Sequence, residues 1–404
     1  MKGITVLLMS ILLCLSFWGC GKQTQPEPTQ LPTTEPATEP TMPVEERVLR
    51  SLASEGNNSR LQRVIAKITA GGEVTVGFIG GSITEGYNAR KGNNYAVLVT
   101  DYLDTTYSDG TGKVRCVNAG LSGTPSALGL VRAERDLLVH EPELIFIEFA
   151  VNDGGTFTDK QAYEGLIRKC LTQENEPAVV LLYSVTENGY SCQNEMAMTA
   201  FYYGLPAVSV RDAIMPEIEA GNMKWTDWSD DEVHPHTEGH ALYSRFIAHL
   251  IDTLVRQEPD EAYQVPGTCR FSRDWSATVQ YDRENLTVPE AGSFAPSRAH
   301  PHFPNSWSHD RSAGNEGMTF EVTGTALFLV YKATTAGSYG TAEILLDGEP
   351  VLHLNARTAD GWNNPVTQLV FSEKETATHT VTIRMQEGDE DKCFDLLAIG
   401  VTEP

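Results

Sequence analysis

The chain has 404 residues, with 54 Asp and Glu against 30 Lys and Arg and a formal charge of -24 at neutral pH. Nucleic acid and anionic membrane surfaces are therefore poor partners, because phosphate binding is led by clustered Lys and Arg. An uncharged or weakly charged substrate suits such a surface better.

Lys2 precedes an apolar run from Ile4 to Trp18, which is short for a membrane span and is of the kind that directs secretion. Gly19-Cys20 at its end resembles the cleavage site of a bacterial lipoprotein, whose Cys receives lipid, although Phe17 and Trp18 depart from the usual pattern. Residues 1–20 are read as a lipoprotein-type signal peptide with Cys20 as the lipidated residue, ordinary secretion being the alternative. Residues 21–45 are rich in Pro, Thr and Glu and almost devoid of large apolar side chains, so they cannot bury a core. A disordered tether behind a lipid anchor makes sense where a folded body stands off a surface. An extracytoplasmic, cell-surface location follows as the expectation, with the lipid anchor as the only membrane contact.

Residues 46–257 alternate strand-length apolar runs with helix-periodic segments. Strands are expected at Val74–Ile79, Val114–Asn118, Leu144–Ala150, Ala178–Tyr183 and Ala207–Val210. Between them, Tyr95, Leu98, Val99, Tyr102 and Leu103 share one helical face, as do Tyr163, Leu166, Ile167, Cys170 and Leu171. This alternation predicts an α/β domain, a five-stranded parallel sheet with helices on both sides.

From Gln257 to Pro266 the chain is polar and contains Pro, as a linker would. Residues 266–404 show no helical stripe. Met318–Val322 and Thr378–Met385 alternate apolar with polar, Ala326–Tyr331 is a buried run, and Asp347-Gly-Glu-Pro350 joins two short strands as a hairpin. An all-β sandwich is expected, of a jelly-roll form that resembles carbohydrate-binding modules. Setting aside Cys14 in the signal and Cys20, five cysteines remain, without metal-type spacing. Cys269 and Cys393 lie near the two ends of this domain and are the one pair considered for a bridge.

The first strand delivers Ser82 into the turn Gly80-Gly-Ser-Ile-Thr84, and Asp231-Glu-Val-His234-Pro235 supplies a base and an orienting carboxylate. Gly120 and Asn152 each follow the end of another strand. Since ligands of parallel sheets bind beyond the carboxyl ends of the strands, three strands point at one crevice. Ser82 would attack a carbonyl, His234 would carry the proton, and Asp231 would hold the imidazole. The N–H groups of Ser82 and Gly120 and the Asn152 amide are the candidate oxyanion donors. These blocks, Gly81-Ser82, Gly120, Asn152-Asp153 and Asp231-x-x-His234-Pro235, resemble the SGNH/GDSL hydrolase superfamily over roughly residues 77–248. Gly81 stands where many relatives carry Asp, a variant similar to a subgroup associated with carbohydrate esterases. The resemblance implies a flavodoxin-like sheet and a serine esterase that needs neither metal nor organic cofactor.

Other readings of the same residues remain open. His234, His236, Glu238 and His240 could surround a metal, although the superfamily often has a packed Gly-His pair here. Trp225 and Trp228 could wall the substrate cleft. In the sandwich, Trp275, Tyr281, Trp307, Tyr339 and Trp362 could stack on sugar rings, Trp307 first among them. The acidic stretch 387–391 could bind Ca²⁺ or be a solvated loop. The expected activity is removal of O-acetyl groups from polysaccharide. The alternatives are a lipase or thioesterase acting on longer acyl chains, and a non-catalytic glycan-binding surface protein.

Overall fold

The computed structural model describes residues 44–404, apart from 109, 111 and 272. The signal peptide, Cys20 and nearly all of the tether lie outside the described residues. In chain order the first part contains α1 (Val44–Arg50), β1 (Leu52–Ser54), α2 (Ser59–Thr69), β2 (Val74–Gly80), α3 (Ser82–Glu85), α4 (Tyr95–Tyr107), β3 (Val114–Gly120), α5 (Ser126–Asp136), β4 (Leu144–Glu148) and α6 (Phe157–Leu171). It continues through β5 (Ala178–Tyr183), α7 (Gln193–Tyr203), β6 (Ala207–Ser209), α8 (Val210–Glu219) and α9 (Thr237–Val255).

The sheet order is β1-β6-β5-β4-β2-β3. Strands β2 to β6 are parallel, and β1 adds an antiparallel edge against β6 that sequence periodicity could not show in three residues. Strands β2, β4, β5 and β6 are buried on both faces, whereas the edge strand β3 is partly exposed. Val74, Val76 and Phe78 of β2 meet α2, α4 and α9, while Ile79 faces the side covered by α5 and α6. That two-sided burial explains why the strands read as continuous apolar runs rather than alternating ones. In register, Gly80 stands beside Gly120 on one side and Glu148 on the other, so the three strands end level.

The second part is all-antiparallel: β7 (Thr278–Tyr281), β8 (Phe294–Ser297), β9 (Ser306–His309), β10 (Met318–Thr334), β11 (Thr341–Leu346), β12 (Glu349–Asn355), β13 (Trp362–Met385) and β14 (Asp395–Thr402). The hydrogen bonding runs through all eight strands as one sheet, in the order β12-β11-β13-β10-β14-β9-β8, with β7 also on β14. The two segments Met318–Val322 and Ala326–Tyr331 are halves of the single strand β10, because a register shift next to Gly324 kinks the strand without ending it. The expected hairpin is β11–β12, closed by Asp347 and Gly348, both at positive φ (54° and 87°), as a two-residue turn of the mirror-image type requires.

The second half of strand β10, from Ala326 on, buries both faces. Leu327, Leu329 and Tyr331 point into the β domain, whereas Ala326, Phe328 and Val330 join the apolar layer of α5 and α6. Trp275, fully buried, meets Phe328 edge-on at 5.1 Å and lies against Gly165 of α6. The helix α5 is thus covered by a sheet on each side. The segment 257–266 is strapped to the first domain: Tyr263 donates to the Tyr203 carbonyl at 2.7 Å, and Arg168 donates to the Pro266 carbonyl at 2.8 Å. Cys116, Cys170, Cys192, Cys269 and Cys393 are all free thiols, so the 269–393 pair is unbridged.

Candidate active site

Strand β2 enters the site through two glycines that close contacts demand. A Cβ on Gly80 would collide with Thr84 Oγ1 and the Glu148 carbonyl, and one on Gly81 with the Asn152 amide. Ser82 then opens the one-turn helix α3, which Gly86 ends at φ 96°. Ser82 is mostly covered, the residue being 7% exposed. Its Oγ lies 2.8 Å from His234 Nε2, and His234 Nδ1 lies 2.8 Å from Asp231 Oδ2.

Asp231 is held before it holds anything else. Its Oδ1 accepts the N–H groups of Val233 (2.7 Å) and His234 (2.6 Å). Partial burial opposes its ionisation, but these backbone bonds and the imidazole outweigh it and keep the carboxyl below its usual range. An ionised carboxylate at Nδ1 fixes the tautomer that leaves Nε2 free to accept the Ser82 proton. Asn88 Nδ2 donates to the His234 carbonyl at 3.1 Å, and the exposed Tyr87 ring lies 4.4 Å from the imidazole at a tilt of 54°. Neither residue has a signal in sequence beyond its closeness to Ser82.

Beneath the site lies a buried polar network. Thr84 Oγ1 bonds the Tyr95 hydroxyl at 2.7 Å and faces Glu148, whose Oε1 has no partner among the described residues. Burial pushes the Glu148 carboxyl up to about 7, and the neighbouring polar groups of Ser184, Ala150 and Thr84 offset this only in part. Asp153 is likewise pushed up to about 7 by burial, and its Oδ1 accepts the Ser126 N–H at the start of α5 at 2.8 Å. Asp153 is thereby a loop and helix anchor.

The candidate oxyanion donors divide. The Ser82 N–H finds no acceptor among the described residues, and the Asn152 amide packs against Gly81 with its Oδ1 unpartnered. Gly120 requires correction: its N–H donates to Asn118 Oδ1 at 2.8 Å, while Asn118 Nδ2 donates to the Thr84 carbonyl at 2.7 Å. Gly120 serves close packing, since a Cβ there would strike the backbone of Glu85. The N–H on this loop that has no acceptor among the described residues belongs to Gly123, at φ 68°. Its signal was present in Asn118-Ala-Gly-Leu-Ser-Gly123, where two glycines compete for one role.

The proposed cleft tryptophans also require correction. Trp225 is buried and donates its indole N–H to the Asp231 carbonyl, which supports the carboxylate loop from behind. Trp228, 1% exposed, packs near Tyr243 of α9. Trp307, 3% exposed, belongs to the interior of the β domain. Large aromatics bury wherever a core can take them, and local polarity of the chain does not reveal that. Among the described tryptophans the exposed one is Trp362 at the start of β13, 55% exposed, with its indole 2.7 Å from where a Cβ on Gly123 would sit. His236 caps α9 by accepting the Gly239 N–H, and the buried His240 accepts the Tyr95 N–H at 3.2 Å. Burial lowers the His240 pKa to about 4. Among the described residues no three His, Cys, Asp or Glu side chains form a metal-holding group.

Residues 78–242 match the model of the GDSL-like Lipase/Acylhydrolase family. Two solved structures of a two-domain esterase (CEX) active on acetylated mannans, one co-crystallised with mannopentaose, resemble nearly the whole described chain. They are 28% and 27% identical, with TM-scores of 0.78 and 0.80, and each covers 88% of this chain and 98% or 99% of the other. Thioesterase 1/protease 1/lysophospholipase L1 of Escherichia coli (strain K12) is 24% identical over 201 residues, 48% of this chain and 91% of that protein. The fold and these likenesses define a carboxylic ester hydrolase. The stretch that matches the GDSL-like Lipase/Acylhydrolase model is followed in this chain by an antiparallel β domain.

Proposed function

We propose that the protein is an extracytoplasmic serine esterase that removes O-acetyl groups from a neutral polysaccharide. The observation that carries the chemistry is His234 set 2.8 Å from both Ser82 and Asp231 at the carboxyl edge of the sheet. Ser82 Oγ attacks the ester carbonyl and passes its proton to His234 Nε2. The tetrahedral oxyanion is met by the Ser82 N–H and the Asn152 amide, with Gly123 as the third donor. As the intermediate collapses, His234 returns the proton to the departing sugar oxygen, leaving an acetyl ester on Ser82. Water, deprotonated by His234, then attacks that ester; acetic acid leaves and Ser82 regains its proton.

The substrate assignment rests on three supports. The net charge of -24 disfavours anionic polymers. Exposed Tyr87 and Trp362 stand beside His234 and the Gly123 loop, and flat sugar faces stack on such rings. The two-domain esterase with the same architecture acts on acetylated mannans, and an acetylated mannan is the substrate we would test first. The apolar run before Cys20 supports export, and the tether supports a lipid-anchored position at the cell surface.

The test is acetate release from a panel of acetylated polysaccharides, together with aryl esters of increasing chain length. Mannan preference and an optimum at acetate are expected. An optimum at octanoate or longer would replace this reading with a lipase or thioesterase. Ser82→Ala should abolish hydrolysis of aryl acetate, by on the order of 10⁵-fold or more; unchanged turnover would remove Ser82 from the mechanism.

A further inference from the structure

A buried arginine stands directly behind the nucleophile turn. Arg132 of α5 has no exposed surface. Its Nη2 donates to the Gly80 carbonyl at 3.0 Å and its Nη1 to the Ala119 carbonyl at 2.6 Å. The first carbonyl immediately precedes Gly81-Ser82 on β2, and the second lies within the end of β3. One guanidinium therefore ties together the two strand ends that carry Ser82 and the Gly120–Gly123 loop. A planar fork can bridge two carbonyls in this way, whereas an ammonium is a point charge.

The fork is itself aimed by the other domain. Asp136, one turn along α5, lies 3.2 Å from Arg132 Nη1 through Oδ2. That same oxygen lies 2.7 Å from Nε2 of His302, a residue of the β domain. Arg135 completes the cluster, bonding Asp136 Oδ1 at 2.6 Å while its guanidinium lies 4.9 Å from the Phe303 ring. Burial alone would raise the Asp136 pKa, but His302, Arg135 and Arg132 reverse it and hold the carboxyl well below its usual range. His302 is fixed by a tight turn in which the Phe303 N–H donates to the His300 carbonyl at 3.0 Å, and its side chain stays about one-third exposed (32%).

We propose that His302, Asp136 and Arg132 form a positioning relay through which the β domain sets the geometry of the Ser82 turn. On this reading the β domain takes part in the chemical step even for substrates too small to touch it. The inference rests on Ser82 being the nucleophile. None of the three residues meets the substrate; each acts through the backbone that presents Ser82.

The experiment compares His302→Ala, His302→Gln, Asp136→Asn and the double variant His302→Ala/Asp136→Asn in the full chain, using an aryl acetate. His302→Ala should lower kcat about tenfold with KM within about twofold, because a small misplacement of the nucleophile costs rate and not small-ester binding. His302→Gln, which keeps an amide N–H near the Nε2 position, should recover most of the loss. The double variant should be no slower than the slower single one, since both break the same chain. His302 is partly exposed, so its truncation should leave the fold intact, and thermal unfolding of each variant checks this. An unchanged kcat in His302→Ala, with or without a lower melting temperature, would overturn the relay, as would a change confined to KM. Ser82→Ala, run in parallel, keeps the two readings apart: residual full activity there would overturn the nucleophile assignment instead.

Discussion

The carboxyl edge of the parallel sheet and the β domain present their side chains in opposite ways. At the edge, the level ends of β2 and β4 are followed at once by Ser82 and by the Asn152 loop, and the loop before α9 brings His234 to Ser82. In the β domain, β14 and the second half of β10 are covered on both faces, and the aromatics Trp275 and Trp307 are consumed by packing. Trp362 is exposed because it begins β13 at the end nearest the Gly123 loop. The difference shows that a site at a sheet edge follows from topology, whereas a stacking platform on an all-β domain depends on which strand end is left uncovered.

Three variants can break or sharpen this contrast. The largest effect is expected from Asn152→Ala, which removes a proposed oxyanion donor: kcat should fall about 10²–10³-fold on aryl acetate and polysaccharide alike. A change confined to KM would deny Asn152 a transition-state role. Trp362→Ala should act on the polymer alone, raising KM for an acetylated oligosaccharide about tenfold and leaving aryl acetate within about twofold. Equal loss on both substrates would mean that the indole supports the Gly123 loop instead of sugar.

The smallest effect concerns the buried acid below the edge. Glu148 is pushed up to about 7 from its ordinary 4.5, so between those values the folded state keeps a proton that the unfolded chain has lost. Stability contributed by this group is complete below about 4.5 and is lost as pH rises through about 7. Glu148→Gln should therefore flatten that part of the melting-temperature profile and bring a modest gain above pH 7. A profile of unchanged slope would show that Glu148 ionises freely in the fold.

Much of the edge is legible in the chain itself. Apolar runs of strand length followed by Gly or Asn place Ser82 and Asn152 at strand ends, and Asp231 and His234 sit three residues apart in one loop. Glycine is the misleading element. Gly120 and Gly123 read alike in sequence, yet the Asn118 amide occupies the N–H of the first and leaves the second without an acceptor among the described residues. Trp307 lies in a polar stretch and still becomes core, because it joins an apolar cluster to which another strand contributes Met318, Phe320 and Leu329.

Hydrophobic periodicity and turn chemistry are local properties. By themselves they determined the parallel sheet, the β11–β12 hairpin and the chain order of the motif residues. Free hydrogen-bond donors, exposed rings and the Arg132–Asp136–His302 chain depend on which distant segments meet; Asp136 and His302 are 166 residues apart. Such contacts follow from packing two sheets against one helix, and no periodicity along the chain encodes them.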